Sequence, residues 1–251
     1  MVSLILAAHG TRRPGGVAMV GDLAARVSTL LGRTVQVAFV DVLGPTPSEV
    51  LSAAAGPRAI VVPAFLSRGY HVRTDLPAHV AASGHHDVVV TPALGPGGRI
   101  ARIVADQLIQ IGWRPGDSVI LGAAGTSDVR AGADLHTTAT LLSAMTGSRV
   151  NLGFAATGEP RIREAVVRAS ADGARRVVVA SYLLSDGLFQ DRLQAAGADL
   201  VSRPLGTHPG MARLIADRFR RAVPPVVNAG GRRPVRRHRA GTPTGPAMLD
   251  L

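Results

Sequence analysis

Residues 4–13 read LILAAHGTRR. An apolar run of strand character stops at His9, and Gly10 and Thr11 turn the chain into a polar, arginine-bearing loop. Open α/β sheets carry their chemistry just outside the carboxyl ends of the strands, which is where this histidine falls. A lone histidine there can serve only to satisfy a hydrogen bond at a strand end. Two further ligand-type residues at equivalent places point instead to a site.

Outward from that stretch, short Val/Ile/Leu/Ala runs alternate with longer amphipathic segments, the βαβα rhythm of a parallel sheet covered on both faces. Strands are expected near 2–8, 34–40, 58–64 and 87–91, with helices near 15–31, 47–55, 75–83 and 98–111. Pro14 and Pro47 sit where helices start, and Gly32 and Gly56 where they stop. Trp113–Asp117 (WRPGD) reads as a linker. Beyond it the rhythm repeats, with strands near 118–123, 149–155, 176–181 and 198–202 and helices near 129–145, 160–171, 189–196 and 209–222.

The halves also agree in detail. AAHGT (7–11) matches GAAGT (122–126) and FVDVLGP (39–45) matches FAATGEP (154–160), both at an offset of 115. FLSRG (65–69) matches LLSDG (183–187) at 118, and RIARIVADQ (99–107) matches GMARLIADR (210–218) at 111. Four matched blocks in one order mark an internal duplication. The chain is therefore expected to be α/β, with two similar flavodoxin-like domains of parallel strands. The first spans 1–114, and the second, a degenerate repeat, spans 115–222. Residues 223–251, rich in proline, glycine and arginine, form an expected disordered basic tail.

The duplication supplies an internal comparison. At three aligned loops the first half carries His9, Asp41 and His71, where the second carries Ala124, Ala156 and Phe189. All metal-capable side chains are missing from one copy as a set. The three residues follow the first three strands, which a 2-1-3-4 order makes neighbours about 4.8 Å apart. Two imidazoles and a carboxylate suit a divalent ion such as Fe²⁺, Co²⁺ or Ni²⁺ with coordination positions left open. A coincidental polar cluster is the competing reading.

Composition removes other chemistries. All 28 basic residues are Arg, so no P-loop, Schiff-base or kinase lysine exists. No cysteine is present, which excludes disulfides, thiolate metal sites and iron–sulfur ligation. The formal charge is +11, of which the tail holds +4 through five arginines and one acid. The remaining +7 suits a small polyanion better than nucleic acid, for which no aromatic platform or module is visible. With no apolar run of membrane-spanning length and no signal-peptide core, a cytoplasmic protein without membrane contact is expected.

The segments AAHGTRRPGG, FVDVLGPTP, VVPAFLSRGYHVRTDLP (61–77), YLLSDGLFQDRL (182–193) and PLGTHPGMARLIAD (204–217) resemble the class II chelatases. More narrowly, they are similar to the sirohydrochlorin chelatases of the cobalt- and iron-inserting kinds. The likeness covers about residues 1–222. It implies two α/β domains facing a cleft, and insertion of Fe²⁺ or Co²⁺ into a tetrapyrrole without ATP or an organic cofactor. The family's motif histidines fall on His9 and His71, and its acidic metal-site residue on Asp41, where relatives often carry Glu. The tetrapyrrole periphery bears carboxylates, which Arg12, Arg13, Arg68 and Arg73 are placed to meet. His208 is expected to line the cleft from the second domain. A monomer or homodimer is expected. Two alternatives stand beside this one. One is a non-catalytic metal or tetrapyrrole carrier. The other is a histidine phosphatase, disfavoured because Ala8 rather than Arg precedes His9.

Overall fold

The computed structural model describes residues 2–223, so the expected tail from 224 onward lies outside the described residues. The first half runs β1 (Val2–Ala8), α1 (Pro14–Leu31), β2 (Val35–Phe39), α2 (Pro47–Ser52), β3 (Arg58–Pro63), α3 (Leu76–Ala82), β4 (Val88–Val90) and α4 (Gly98–Gln110). The second runs β5 (Ser118–Gly125), α5 (Val129–Thr146), β6 (Val150–Thr157), α6 (Ile162–Ala171), β7 (Val177–Tyr182), α7 (Leu188–Gln194), β8 (Leu200–Val201) and α8 (Pro209–Ala222). Each expected strand and helix is present, with β4 and β8 shorter than their sequence runs.

Two four-stranded parallel sheets result, ordered β2-β1-β3-β4 and β6-β5-β7-β8. The central strands read as continuous apolar runs because helices cover both faces, and Ile5, Leu6, Ile60 and Val61 are fully buried. The duplication persists at the level of single hydrogen bonds. Ser28 Oγ accepts the Val35 N–H and Ser143 Oγ the Val150 N–H, both at 2.9 Å and 115 residues apart. Phe39 N–H donates to the Pro45 carbonyl at 2.8 Å, and Phe154 N–H to the Pro160 carbonyl at 3.1 Å.

The helices do not follow the linker. α4 packs on α5 and β7 of the second half, and α8 packs on α1 and β3 of the first. The halves thus exchange their last helices about a pseudo-two-fold, near which α4 touches α8. Arg220 seals one side of the exchange by donating from Nη2 to the Leu30 carbonyl at 2.7 Å. The linker is held by Arg176, whose guanidinium meets Asp117 at 2.5 Å and the Gly112 carbonyl at 2.7 Å. Among the described residues no helix is long and apolar enough to cross a membrane.

Candidate functional site

β1 delivers His9 to the carboxyl edge of its sheet, and the turn after it requires glycine. Gly10 has φ +100°, and a Cβ there would stand 2.2 Å from the Asp41 carbonyl oxygen. His71 opens a five-residue π-helical turn, His71–Asp75, that leads into α3. It therefore stands on a helical turn well past the end of β3, not in a strand-end loop as the sequence suggested. Turns of this kind are frequent at functional sites. The two imidazoles meet edge to face with ring centroids 4.4 Å apart. Phe65 stacks on the other side of His71 at 6.1 Å.

The hydrogen-bond partners assign the tautomers. His71 Nδ1 lies 2.6 Å from Asp75 Oδ2, and His9 Nδ1 lies 3.2 Å from the Gly10 carbonyl oxygen. Both partners only accept, so each Nδ1 is the donor, and the neutral form of either ring has its lone pair on Nε2. Asp75 was absent from the sequence reading. Its signal was the four-residue spacing in HVRTD, which brings the two side chains together on one helical face.

A cavity of about 380 Å³ opens between the carboxyl ends of the two sheets. Ala8–Thr11 and Ala64–Ser67 line it from the first half, and Ala123–Thr126 and Tyr182–Gln190 from the second. The second wall is apolar where its counterpart bears histidine: Leu188 is 52% exposed and Phe189 is 39% exposed. Arg192 braces this wall, its guanidinium 5.9 Å from the Phe189 ring centre and its Nη1 donating to the Ala155 carbonyl. At the base of the lining, Tyr182 donates to the Leu66 carbonyl at 2.9 Å, and burial pushes its phenol pKa up. The cleft therefore has His9 on the wall of the first half and Leu188 and Phe189 on that of the second, while His71 stands behind His9 and outside the lining.

Other expected site residues stand differently. Asp41 lies beside His9 through the backbone, its N–H donating to the His9 carbonyl at 3.0 Å. Its carboxylate turns back to accept the Val42 N–H at 2.7 Å, where Val42 takes φ +74°. Among the described residues no three His, Cys, Asp or Glu side chains are grouped to hold a metal. The expected His9–Asp41–His71 trio is thus a histidine pair with Asp41 adjacent but directed into its own loop.

Three of the four flanking arginines are already paired, each with an acid of the second half. Arg13 meets Asp191 at 2.9 Å and Arg73 meets Asp128 at 3.0 Å. Arg68 forks onto Asp134, with Nη2 2.5 Å from Oδ1 and the backbone N–H 2.8 Å from Oδ2. Asp134 is 1% exposed, so removing that arginine would leave a buried carboxylate without its ion-pair partner. These arginines clamp the halves across the cleft. Their closeness to the histidines is visible in the sequence, whereas the acids opposite them arrive only on folding. Arg12 is exposed and makes no ion pair among the described residues.

His208 does not line the cleft. It caps α8, its Nδ1 accepting the Gly210 N–H at 3.1 Å, and it sits beside Arg102, Asp106 and Arg213. Burial lowers its pKa, with Asp106 opposing and Arg213 and Arg26 adding to the shift. A histidine whose folded pKa is depressed costs stability as pH falls from its unfolded value through its folded one. His208→Asn keeps a capping acceptor without that titration. Its melting temperature should therefore fall less between pH 7 and pH 5 than that of the native chain. An equal fall in both would remove His208 from the acid response.

A family model described as CbiX matches residues 3–111 and 118–222. A sirohydrochlorin cobaltochelatase of Methanothermobacter thermautotrophicus is 29% identical over 130 residues, covering 43% of this chain and 90% of the relative. A protein of the same description from Methanopyrus kandleri is 29% identical over 136 residues, covering 43% and 95%. Among solved structures, SirB from Bacillus subtilis with Fe³⁺ superposes with a TM-score of 0.75 at 20% identity, covering 87% of this chain and 94% of that one.

Proposed function

The chain belongs to the CbiX family, and from that premise we propose that it is a sirohydrochlorin chelatase inserting Co²⁺ or Fe²⁺ as the second substrate. The observation that carries this reading is the His9–His71 pair, its ring centroids 4.4 Å apart, with His9 lining the same cleft as Leu188 and Phe189. Insertion into the free macrocycle releases two pyrrole N–H protons as the metal takes their place. The work is to hold the ring, loosen the metal's water shell and receive those protons.

The flat apolar ring lies against Leu188 and Phe189, so its other face meets the two imidazoles. His9 and His71 each present an Nε2 lone pair that can bind the entering ion or accept a pyrrole proton, one role excluding the other at any instant. Asp75 fixes the ring of His71 and stabilises its imidazolium once the proton arrives. Asp41 adds negative charge beside His9, favouring approach of a dication. Arg12 is the arginine left to meet a peripheral carboxylate, since Arg13, Arg68 and Arg73 hold the cleft together.

Turnover distinguishes this from a carrier. Purified protein mixed with excess sirohydrochlorin and Co²⁺ or Fe²⁺ should convert many equivalents to metallated product, followed by the change in the macrocycle's visible absorption. Conversion that stops at one equivalent would make the protein a carrier. Asp75→Asn should lower kcat by about 10–100-fold with KM for the macrocycle little changed, as for residues that orient a ligand-bearing histidine. An equal rise in KM would instead place Asp75 in substrate binding.

A further inference from the structure

We propose that a second cavity, between the start of α4 and the outer face of α8, binds a phosphate-type dianion. The cavity holds about 190 Å³ and is lined by Gly97, Gly98, Arg99, Asp217, Arg218 and Arg221 among others. Three guanidinium groups and one carboxylate leave it two positive charges. Arg99 meets Asp217 at 2.7 Å, and Asp217 also holds Arg220 at 3.0 Å. Arg218 and Arg221 make no ion pair among the described residues.

The internal repeat shows why this is a site and not packing. At the offset of 111 that aligns the two last helices, Gly97 corresponds to His208 and Arg218 to Gln107. Gln107 Nε2 donates to the Pro204 carbonyl at 3.2 Å, and Arg218 Nη2 donates to the equivalent Ala93 carbonyl at 3.0 Å. An amide therefore performs the structural task in one copy, while the other carries a charge. That charge is costly: among the described residues Arg218 Nε is buried without an acceptor, and burial together with Arg221 and Arg99 disfavours the protonated form. An anion in the cavity that Arg218 lines offsets the charge.

The helix start shows the same asymmetry. His208 caps α8, but Gly97 offers α4 no side-chain cap and its first turn holds no acid. The first residues of α4 line the arginine-bearing cavity, and among the described residues their N–H groups have no side-chain cap. A tetrahedral dianion receives those N–H groups on one side and the Arg218 and Arg221 guanidiniums on the other. Inorganic phosphate and a phosphate monoester share this chemistry.

The test is binding to the full chain, by calorimetry and by melting temperature, of inorganic phosphate and of glycerol 3-phosphate, with chloride at matched ionic strength as reference. The native chain should bind one of them saturably. Arg218→Gln, which installs the residue of the other copy, should weaken binding about ten-fold or more while melting no lower than the native chain without anion. Arg221→Gln, at an exposed position, should weaken it also and guards against a folding defect in the first variant. The arginine-rich tail is common to all three proteins and cannot produce the difference. The tighter of the two ligands names the source of the phosphate. Native affinity in both variants, or stabilisation no greater than chloride gives, would overturn the proposal.

Discussion

His9→Ala and His71→Ala should each lower the rate of metal insertion by about 10²-fold or more, the range for removing a positioned proton acceptor. The fold should survive. His9 is exposed at the end of β1, and His71 is partly exposed on a turn where its ring is hydrogen-bonded to Asp75. A stability cost within about 1 kcal/mol is expected for such positions. Their ring centroids lie 4.4 Å apart, and the proposed function has them act on the same ion and proton. The double variant should then be little worse than either single one, since residues acting as a unit are not additive. Circular dichroism and melting temperature, run beside the rate assay, separate loss of chemistry from loss of structure. Near-native turnover in either single variant would remove that histidine from the mechanism.

Phe219→Ala should produce the largest loss of stability. Phe219 lies on α8, is 1% exposed and packs near Leu4, Leu30 and Leu31, so its ring belongs to the core of the half it is not contiguous with. Truncating a buried phenylalanine costs about 3–5 kcal/mol. Exchange of α4 and α8 makes each sheet depend on a helix from the other half. The loss should accordingly appear as one cooperative transition moved to lower urea concentration, and not as early melting of residues 118–222 alone. Two separated transitions would contradict the exchange.

The elements and the repeat were legible in sequence because they rest on local periodicity and on matched blocks, whereas the order 2-1-3-4 came with the flavodoxin-like class and the cleft with the resemblance to the chelatases. The helix exchange was not. RIARIVADQ and GMARLIADR are equally amphipathic, and nothing in either pattern tells a helix which of two similar sheets it will cover. The site was legible in part for the same kind of reason. His9 and His71 stood out as ligand-type residues in one copy of a repeat, and folding brings them together. Asp41 lies beside His9 as the strand order implies, yet its carboxylate turns onto its own loop, where Val42 takes a positive φ, and single-residue backbone geometry of that sort leaves no periodic trace. The arginines misled through their neighbours. Asp128, Asp134 and Asp191 are distant in sequence and become partners only when the halves face each other.

The central claim is that the chemistry belongs to the first half alone, with the second supplying an apolar wall. Titrating the native chain with Co²⁺, in the absence of macrocycle, and following the visible ligand-field bands tests it most directly. The account predicts one equivalent bound per chain, with the spectrum lost in His9→Ala/His71→Ala and retained in Phe189→Ala. A native-like Co²⁺ spectrum in the double histidine variant would contradict it.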